Sequence, residues 1–81
     1  MNATKNKLNE VFCKVFNNPD LMIEHYMSAN DIEGWDSFNH LRLIMFIEKE
    51  FNLQVPGTEV MKLKTVGSLI DLIENQGGSA R

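Results

Sequence analysis

The sequence predicts an all-α fold: a small four-helix bundle with three main helices, one short helix and a long loop between the first two helices. Three segments repeat apolar residues at intervals of three and four, the spacing of a buried helix face. A chain of 81 residues has the size of one small domain. Its single cysteine cannot form an internal disulfide, and its two histidines give no zinc-ligand spacing. Helix packing therefore has to provide most of the stability.

The first helix is predicted over residues 3–16. Pro19 follows soon after, and a proline lacks the backbone N–H and disfavours helical geometry in the residue before it. The helix is therefore expected to end at Asn17-Asn18. The apolar stripe that should face the core consists of Leu8, Val11, Phe12, Val15 and Phe16.

Residues 17–36 show no sustained period, yet a structureless connection of this length is unusual in a small domain. We expect its apolar side chains to dock onto the helices and fill the core, with a helical turn near residues 22–26. Gly34 permits a tight bend because it has no Cβ atom. The residues expected to dock are Leu21, Met22, Ile23, Tyr26, Met27, Ile32 and Trp35.

The second helix is predicted over residues 37–52, with Asp36 as the N-cap that accepts hydrogen bonds from the first turn. At helical spacing its apolar residues form two stripes. Phe38, Leu41 and Met45 make up a surplus stripe, and an exposed apolar patch of this kind predicts a contact surface. The stripe predicted to face the core consists of Leu43, Ile44, Ile47 and Phe51.

Two further helices are predicted in the last third of the chain. After an extended passage at residues 53–57, residues 58–63 are expected to form a short helix capped by Thr58. Thr65 is the predicted N-cap of the last helix. The domain is expected to cover residues 1–76, with residues 77–81 as a flexible tail. The buried stripe of the last helix is Val66, Leu69, Ile70 and Ile73.

The charge pattern argues against several partner classes. The formal net charge is −3 and the pI about 5.2. The basic residues are scattered, whereas nucleic acids and anionic membranes are bound by a concentrated basic face, so we expect neither partner. The longest apolar run, residues 43–47, is far shorter than the roughly 20 residues of a membrane helix. No apolar stretch typical of a secretory signal follows the N-terminus, so a cytoplasmic location is expected.

Ser37 occupies the position that most suggests chemistry. As the first residue of the second predicted helix, its hydroxyl would lie beside unpaired backbone N–H groups and the positive end of the helix dipole. Such a position favours a phosphate on the serine oxygen. Taken alone, the pair Asp36-Ser37 is also a common way to begin a helix, and the local residues favour that simpler interpretation.

The wider sequence, from residue 31 to residue 73, resembles the acyl carrier protein family. Asp36-Ser37-Phe38 is similar to the Asp-Ser-Leu signature of that family. Residues 43–51 resemble its second helix, which ends in an acidic cluster and a phenylalanine. Val55-Pro56 matches its aliphatic-proline step, and residues 64–73 resemble its final helix. The ordered set is far more specific than the Asp-Ser pair alone.

The resemblance implies a carrier that is not itself an enzyme. A phosphopantetheinyl transferase would attach 4′-phosphopantetheine covalently to Ser37, with Asp36 retained as cap and contact. The thiol of this arm would carry an acyl group as a thioester to acyl-transferring, synthase or ligase enzymes. We expect a monomer without a metal ion. The implied partner-binding residues are Phe38, Leu41, Arg42, Met45 and Glu48.

The second helix also departs from the family pattern. Asn39 and Arg42 stand at positions that are often acidic in the family, and Lys49 interrupts the later cluster. The partner face is therefore mixed in sign, and charge complementarity sets association rates and rejects wrong partners. We hypothesise a dedicated secondary or lipid-modification pathway, in which Arg42 selects the partner.

Three alternatives stay open at the level of sequence. Gly34-Trp35 stands where peptidyl carriers usually have Gly-Gly, which favours an acyl carrier without excluding an aminoacyl or polyketide carrier. An unmodified helical interaction module would use the surplus apolar stripe only for docking. A hydrolase using Ser37 and His40 is disfavoured because so short a chain has little material for an oxyanion hole and a substrate site. A packed His40 is the simpler interpretation.

Overall fold

The computed structural model describes residues 3–76, which form four helices in the predicted order. Among these residues the extended pairing is limited to one isolated antiparallel bridge between Ser28 and Thr65, so the all-α prediction is confirmed. The predicted tail at residues 77–81 lies outside the described part. No helix formed by residues 3–76 has the length and apolar character to cross a membrane. The helices are α1 (Ala3–Val15), α2 (Ser37–Phe51), α3 (Gly57–Val60) and α4 (Val66–Asn75).

The core lies between the three longer helices. Helix α1 packs against both α2 and α4, while α3 has no buried residue. Phe12 meets the ring of Trp35 edge-on, with centroids 5.3 Å apart, and so joins α1 to the loop before α2. The helix stripes expected to face the core are buried, except that Phe16 is only half-buried; the buried members are Leu8, Val11, Phe12, Val15, Leu43, Ile44, Ile47, Phe51, Val66, Leu69, Ile70 and Ile73.

Helices α1 and α2 each end one residue before the predicted boundary, and an asparagine follows each helix within two residues. Asn52 caps α2 with a φ of 54°, and Asn17 follows α1 with a φ of 53°. Asparagine tolerates this left-handed conformation better than most residues, so it turns the chain out of the helix. Both helices therefore end through their own local sequence.

The loop between α1 and α2 differs from expectation in two ways. Ile23, Ile32 and Trp35 are buried as predicted, but Met22 and Tyr26 are 70% and 73% exposed, so the expectation that they fill the core is wrong. The helical turn expected near residues 22–26 is also absent from this described segment. A single turn closed by Met27 N–H and Glu24 O, 3.0 Å apart, takes its place.

Polar anchors explain this course of the loop. The side-chain amide of Asn9 donates to Leu21 O at 3.0 Å and accepts from Ile23 N–H at 2.7 Å. This pair of bonds holds Leu21 and Ile23 beside α1; Ile23 is buried, and Met22 between them is exposed. Polar contacts to the backbone, rather than apolar character alone, therefore accompany the burial of one side chain and the exposure of the next.

The short helix α3 begins and ends earlier than predicted. It covers Gly57–Val60 rather than residues 58–63, its N-cap is Pro56, and no side chain caps it. The predicted capping role of Thr58 is therefore wrong, since Thr58 lies inside the helix. The backbone closes the first turn by itself, because Glu59 N–H donates to Pro56 O at 2.8 Å and the φ of Pro56, −57°, already suits a helix start.

Helix α4 begins as predicted, at Thr65. The Thr65 hydroxyl accepts from Ser68 N–H and the Ser68 hydroxyl accepts from Thr65 N–H, both at 3.1 Å, which is a reciprocal capping box. Gly67 N–H donates to His25 O at 3.0 Å, and a Cβ atom on Gly67 would lie 2.6 Å from the ring of His25. The glycine therefore permits the close approach of the loop to α4.

Candidate functional site

Ser37 is exposed and is the first residue of α2. Asp36 caps the helix as predicted, because its Oδ1 accepts from Asn39 N–H at 2.9 Å. The Asp36 backbone carbonyl accepts from His40 N–H at 2.7 Å, so both the side chain and the backbone of Asp36 are hydrogen-bonded to the first turn. The Ser37 hydroxyl thus lies at a helix N-terminus, where the dipole favours an anion, and an approaching protein can reach it.

Gly34 shapes the approach to this helix start. Its φ of +92° is a left-handed conformation that disfavours side chains with a Cβ atom. Its carbonyl accepts from Asp36 N–H at 3.0 Å and from the Asn39 side-chain amide at 2.7 Å. The tight bend predicted at Gly34 is present, and Asn39 serves the bend instead of projecting fully to a partner.

A buried hydrogen-bond chain lies behind Ser37. The Trp35 indole N–H donates to His40 Nδ1 at 2.9 Å, and His40 Nε2 lies 2.8 Å from Val60 O. Because the indole can only donate, Nδ1 must accept, and the proton on Nε2 donates to Val60 O. The chain ties the loop, α2 and α3 together. His40 is 5% exposed, as expected for a packed histidine, and neither ring nitrogen is left to act as a base for Ser37.

An open cleft of about 370 Å³, called the Ser37 cleft below, begins at the serine. The loop before α2, the start of α2 and the segment after α3 each contribute lining residues. The cleft combines apolar surface with few charges, which suits a flexible chain of mixed polarity. A group attached to the Ser37 oxygen therefore has room beside it. The lining residues are Ser28, Ala29, Asn30, Trp35, Asp36, Ser37, His40, Met61 and Lys64.

An exposed apolar face extends along α2. Phe38, Leu41 and Met45 are 70%, 52% and 65% exposed, which matches the surplus stripe predicted from spacing. Met61, which was not predicted from the sequence, is also half exposed and lines the Ser37 cleft. Met61 follows a helix too short to show a periodic pattern, so no sequence signal would have identified it.

The two charged residues predicted to bind partners differ in their surroundings. Arg42 is exposed, and its Nη1 donates to Asn39 Oδ1 at 3.2 Å, so its charge faces solvent. Glu48 is half-buried, and its Oε2 accepts from Val55 N–H at 2.7 Å. Glu48 thus also holds the segment after α2, a structural role that the spacing did not indicate.

Comparison with known proteins identifies the family. The profile described as "Phosphopantetheine attachment site" matches residues 6–73. An acyl carrier protein of Porphyromonas gingivalis is 46% identical over 46 residues, and the match spans 57% of this chain but only 58% of that relative. An acyl carrier protein of Buchnera aphidicola is 33% identical over 76 residues, which are 94% of this chain and 96% of that protein.

The fold agrees with this assignment. The solution NMR structure of a holo acyl carrier protein from Geobacter metallireducens superimposes with a TM-score of 0.81 at 36% identity, covering 89% of this chain and 83% of that one. The resemblance seen in the Asp36-Ser37-Phe38 region thus extends over nearly the whole chain. We conclude that the chain belongs to the acyl carrier protein family, whose members are carriers rather than enzymes and bear a covalent phosphopantetheine group.

Proposed function

We propose that this protein carries acyl intermediates as thioesters on a 4′-phosphopantetheine arm joined to the Ser37 oxygen. The observation that carries the proposal is the position of Ser37: it is exposed, it is the first residue of α2, and it lines the Ser37 cleft. In the loading reaction the serine hydroxyl would give its proton to a base of the transferase, and its oxygen would form the new bond to phosphorus as the bond from that phosphorus to the nucleotide phosphate breaks. The nucleotide part of coenzyme A would be the leaving group.

The surroundings of Ser37 support this modification physically. A phosphodiester at residue 37 would lie at the positive end of α2, which stabilises an anion there. Asp36 opposes it by charge repulsion, but its carboxylate is engaged by Asn39 N–H. The apolar walls of the cleft, formed in part by Trp35 and Met61, suit the carbon chain of the arm.

The partner enzymes are proposed from the exposed surface of α2. A phosphopantetheinyl transferase and the acyl-transferring, synthase or ligase enzymes would dock on Phe38, Leu41 and Met45, with Met45 adaptable to several partners. Arg42 and the exposed Lys49 make this surface mixed in sign. We therefore propose a dedicated secondary or lipid-modification pathway, with the protein acting as a cytoplasmic monomer.

Intact mass spectrometry tests the attachment site. Coexpression with a broad-specificity phosphopantetheinyl transferase should add one arm to the wild type and none to Ser37→Ala. Ser28→Ala is the matched control, because Ser28 lines the same cleft and should leave loading unchanged. An unchanged wild-type mass would instead favour an unmodified interaction module, the alternative that the exposed apolar face supports. If the arm is attached, mass spectrometry of protein from its natural host would distinguish acyl from aminoacyl or polyketide cargo.

A further inference from the structure

We propose that Lys64 is a positioning residue for the arm: its ammonium group pairs with the phosphodiester on Ser37 and so directs the arm along the Ser37 cleft. The inference rests on the proposed function and adds to it a residue outside the Asp-Ser signature. Lys64 and Ser37 are distant in sequence and belong to different elements, yet both line the same cleft.

Lys64 is the cationic residue among the described residues that line this cleft, and Asp36 is the anionic one. Lys64 is exposed, and it forms no ion pair with any residue in the described range 3–76. Lys62, two residues earlier, does form an ion pair: its Nζ lies 3.5 Å from Glu59 Oε2. The cleft thus holds a cation whose charge is not neutralised by a described side chain.

The backbone beside Lys64 is held by hydrogen bonds of the residues that follow it, so the flexible side chain of Lys64 starts from a fixed point. Thr65, the next residue, caps α4 through the reciprocal bonds with Ser68. Val66 N–H donates to Met27 O at 2.9 Å, which ties this segment to the loop before α2. The side chain of Lys64 therefore extends from a fixed point toward an open volume shared with Ser37.

The chemistry of the arm matches this arrangement. Its first group after the serine oxygen is a phosphodiester with one negative charge, beside the carboxylate of Asp36. A lysine ammonium is a compact charge with three donors on a flexible stem, which suits a phosphate that approaches from several directions. An exposed pair of this kind is modest in strength and sensitive to salt, so a severalfold effect is expected rather than an all-or-none one.

The experiment compares the wild type, Lys64→Met and Lys62→Met after enzymatic loading from coenzyme A that carries a nitroxide on its thiol. Loading by the transferase avoids labelling Cys13. Paramagnetic relaxation is measured at the Trp35 indole N–H and the Ala29 amide, both in the cleft lining. In Lys64→Met, which keeps the apolar stem, these rates should fall at least twofold. They should stay unchanged in Lys62→Met, and high salt should reproduce the loss in the wild type.

The outcomes separate the two proposals. If intact mass shows that the wild type accepts no arm, the proposed function fails and the role of Lys64 fails with it. If all three proteins are loaded and the relaxation rates of Lys64→Met equal those of the wild type, the role of Lys64 alone is overturned. An equal fall of the relaxation rates in Lys62→Met would also overturn the role of Lys64, because it would indicate a general charge effect. An unshifted indole signal of Trp35 before labelling verifies that each variant is folded.

Discussion

At the scale of single residues, the region around Ser37 depends on a few side chains with distinct tasks. Asp36 caps α2, Gly34 makes the bend before it, and His40 joins the Trp35 indole to the α3 backbone. None of these contacts involves the Ser37 hydroxyl, which leaves that group available. Each task can be tested by a substitution that removes one contact.

Replacing Asp36 with alanine should lower the free energy of unfolding by about 0.5–2 kcal/mol, because Asn39 N–H would lose its acceptor. Asp36→Asn should retain most of that stability, since asparagine is an equally good N-cap. Urea denaturation of the apo proteins measures both. Equal stability of Asp36→Ala and the wild type would contradict the capping role.

Replacing His40 with leucine should lower the free energy of unfolding by about 1–3 kcal/mol, because the buried Trp35 indole N–H would lose its acceptor. In a double-mutant cycle with Trp35→Phe, the combined loss should be smaller than the sum of the single losses. His25→Gln is the control at the other histidine, which is exposed. If the losses of unfolding free energy measured by urea denaturation were additive, Trp35 and His40 would not be coupled.

Reversing the charge of Arg42 should widen partner choice. We expect Arg42→Glu to raise turnover by the host's general fatty-acid enzymes severalfold, mainly through a lower KM, and the gain should shrink at high salt. Lys14→Glu changes the net charge equally at an exposed position of α1 and should give no gain. An absence of any gain with Arg42→Glu would count against the selection of partners by this residue.

At the scale of elements, helix ends and close approaches decide the architecture. The sequence predicts α1, α2 and α4 well because their apolar spacing, the caps Asp36 and Thr65 and the proline after α1 are local signals. The loop and α3 are predicted less well. Their course depends on partners distant in sequence, such as the amide of Asn9 bonded to Leu21 and Ile23.

The approach of the loop to α4 can be tested at Gly67. Alanine normally stabilises a helix relative to glycine by up to about 1 kcal/mol. Gly67→Ala should instead destabilise the protein by about 1 kcal/mol, because the new Cβ atom would crowd the His25 ring and carbonyl. Gly57→Ala in α3 meets no atom within 4 Å and should be neutral or stabilising. Thermal unfolding distinguishes the two, and a stabilised Gly67→Ala would contradict the crowding.

At the scale of the whole molecule, the residues that pack in the core and the residues proposed to bind partners lie on opposite faces of α2. The face packed on α1 includes Ile47, which is fully buried, whereas Met45 on the other side is exposed. A domain of this length has a net stability of only about 4–12 kcal/mol, so a single core residue accounts for a large share.

Ile47→Ala should therefore lose about 2–5 kcal/mol of unfolding free energy through the cavity it leaves. Met45→Ala should change stability by less than about 0.5 kcal/mol and should instead weaken binding to the transferase or to an acyl-transferring enzyme. Urea denaturation and a binding isotherm of the same two proteins provide the comparison. If Met45→Ala lowered the free energy of unfolding as much as Ile47→Ala, the exposed face of α2 would also contribute to stability, and the division between the two faces would be wrong.

The sequence by itself determined helices α1, α2 and α4, the caps Asp36 and Thr65, the two stripes of α2 and the likeness around Ser37, because each of these depends on neighbours within a few residues. Only the tertiary structure decided that Met22 and Tyr26 face solvent, that His40 links Trp35 to Val60, that Glu48 holds Val55, and that Lys64 shares a cleft with Ser37. Those features join residues from different elements. These contacts form only once the helices have packed. Local patterns along the chain therefore cannot predict them.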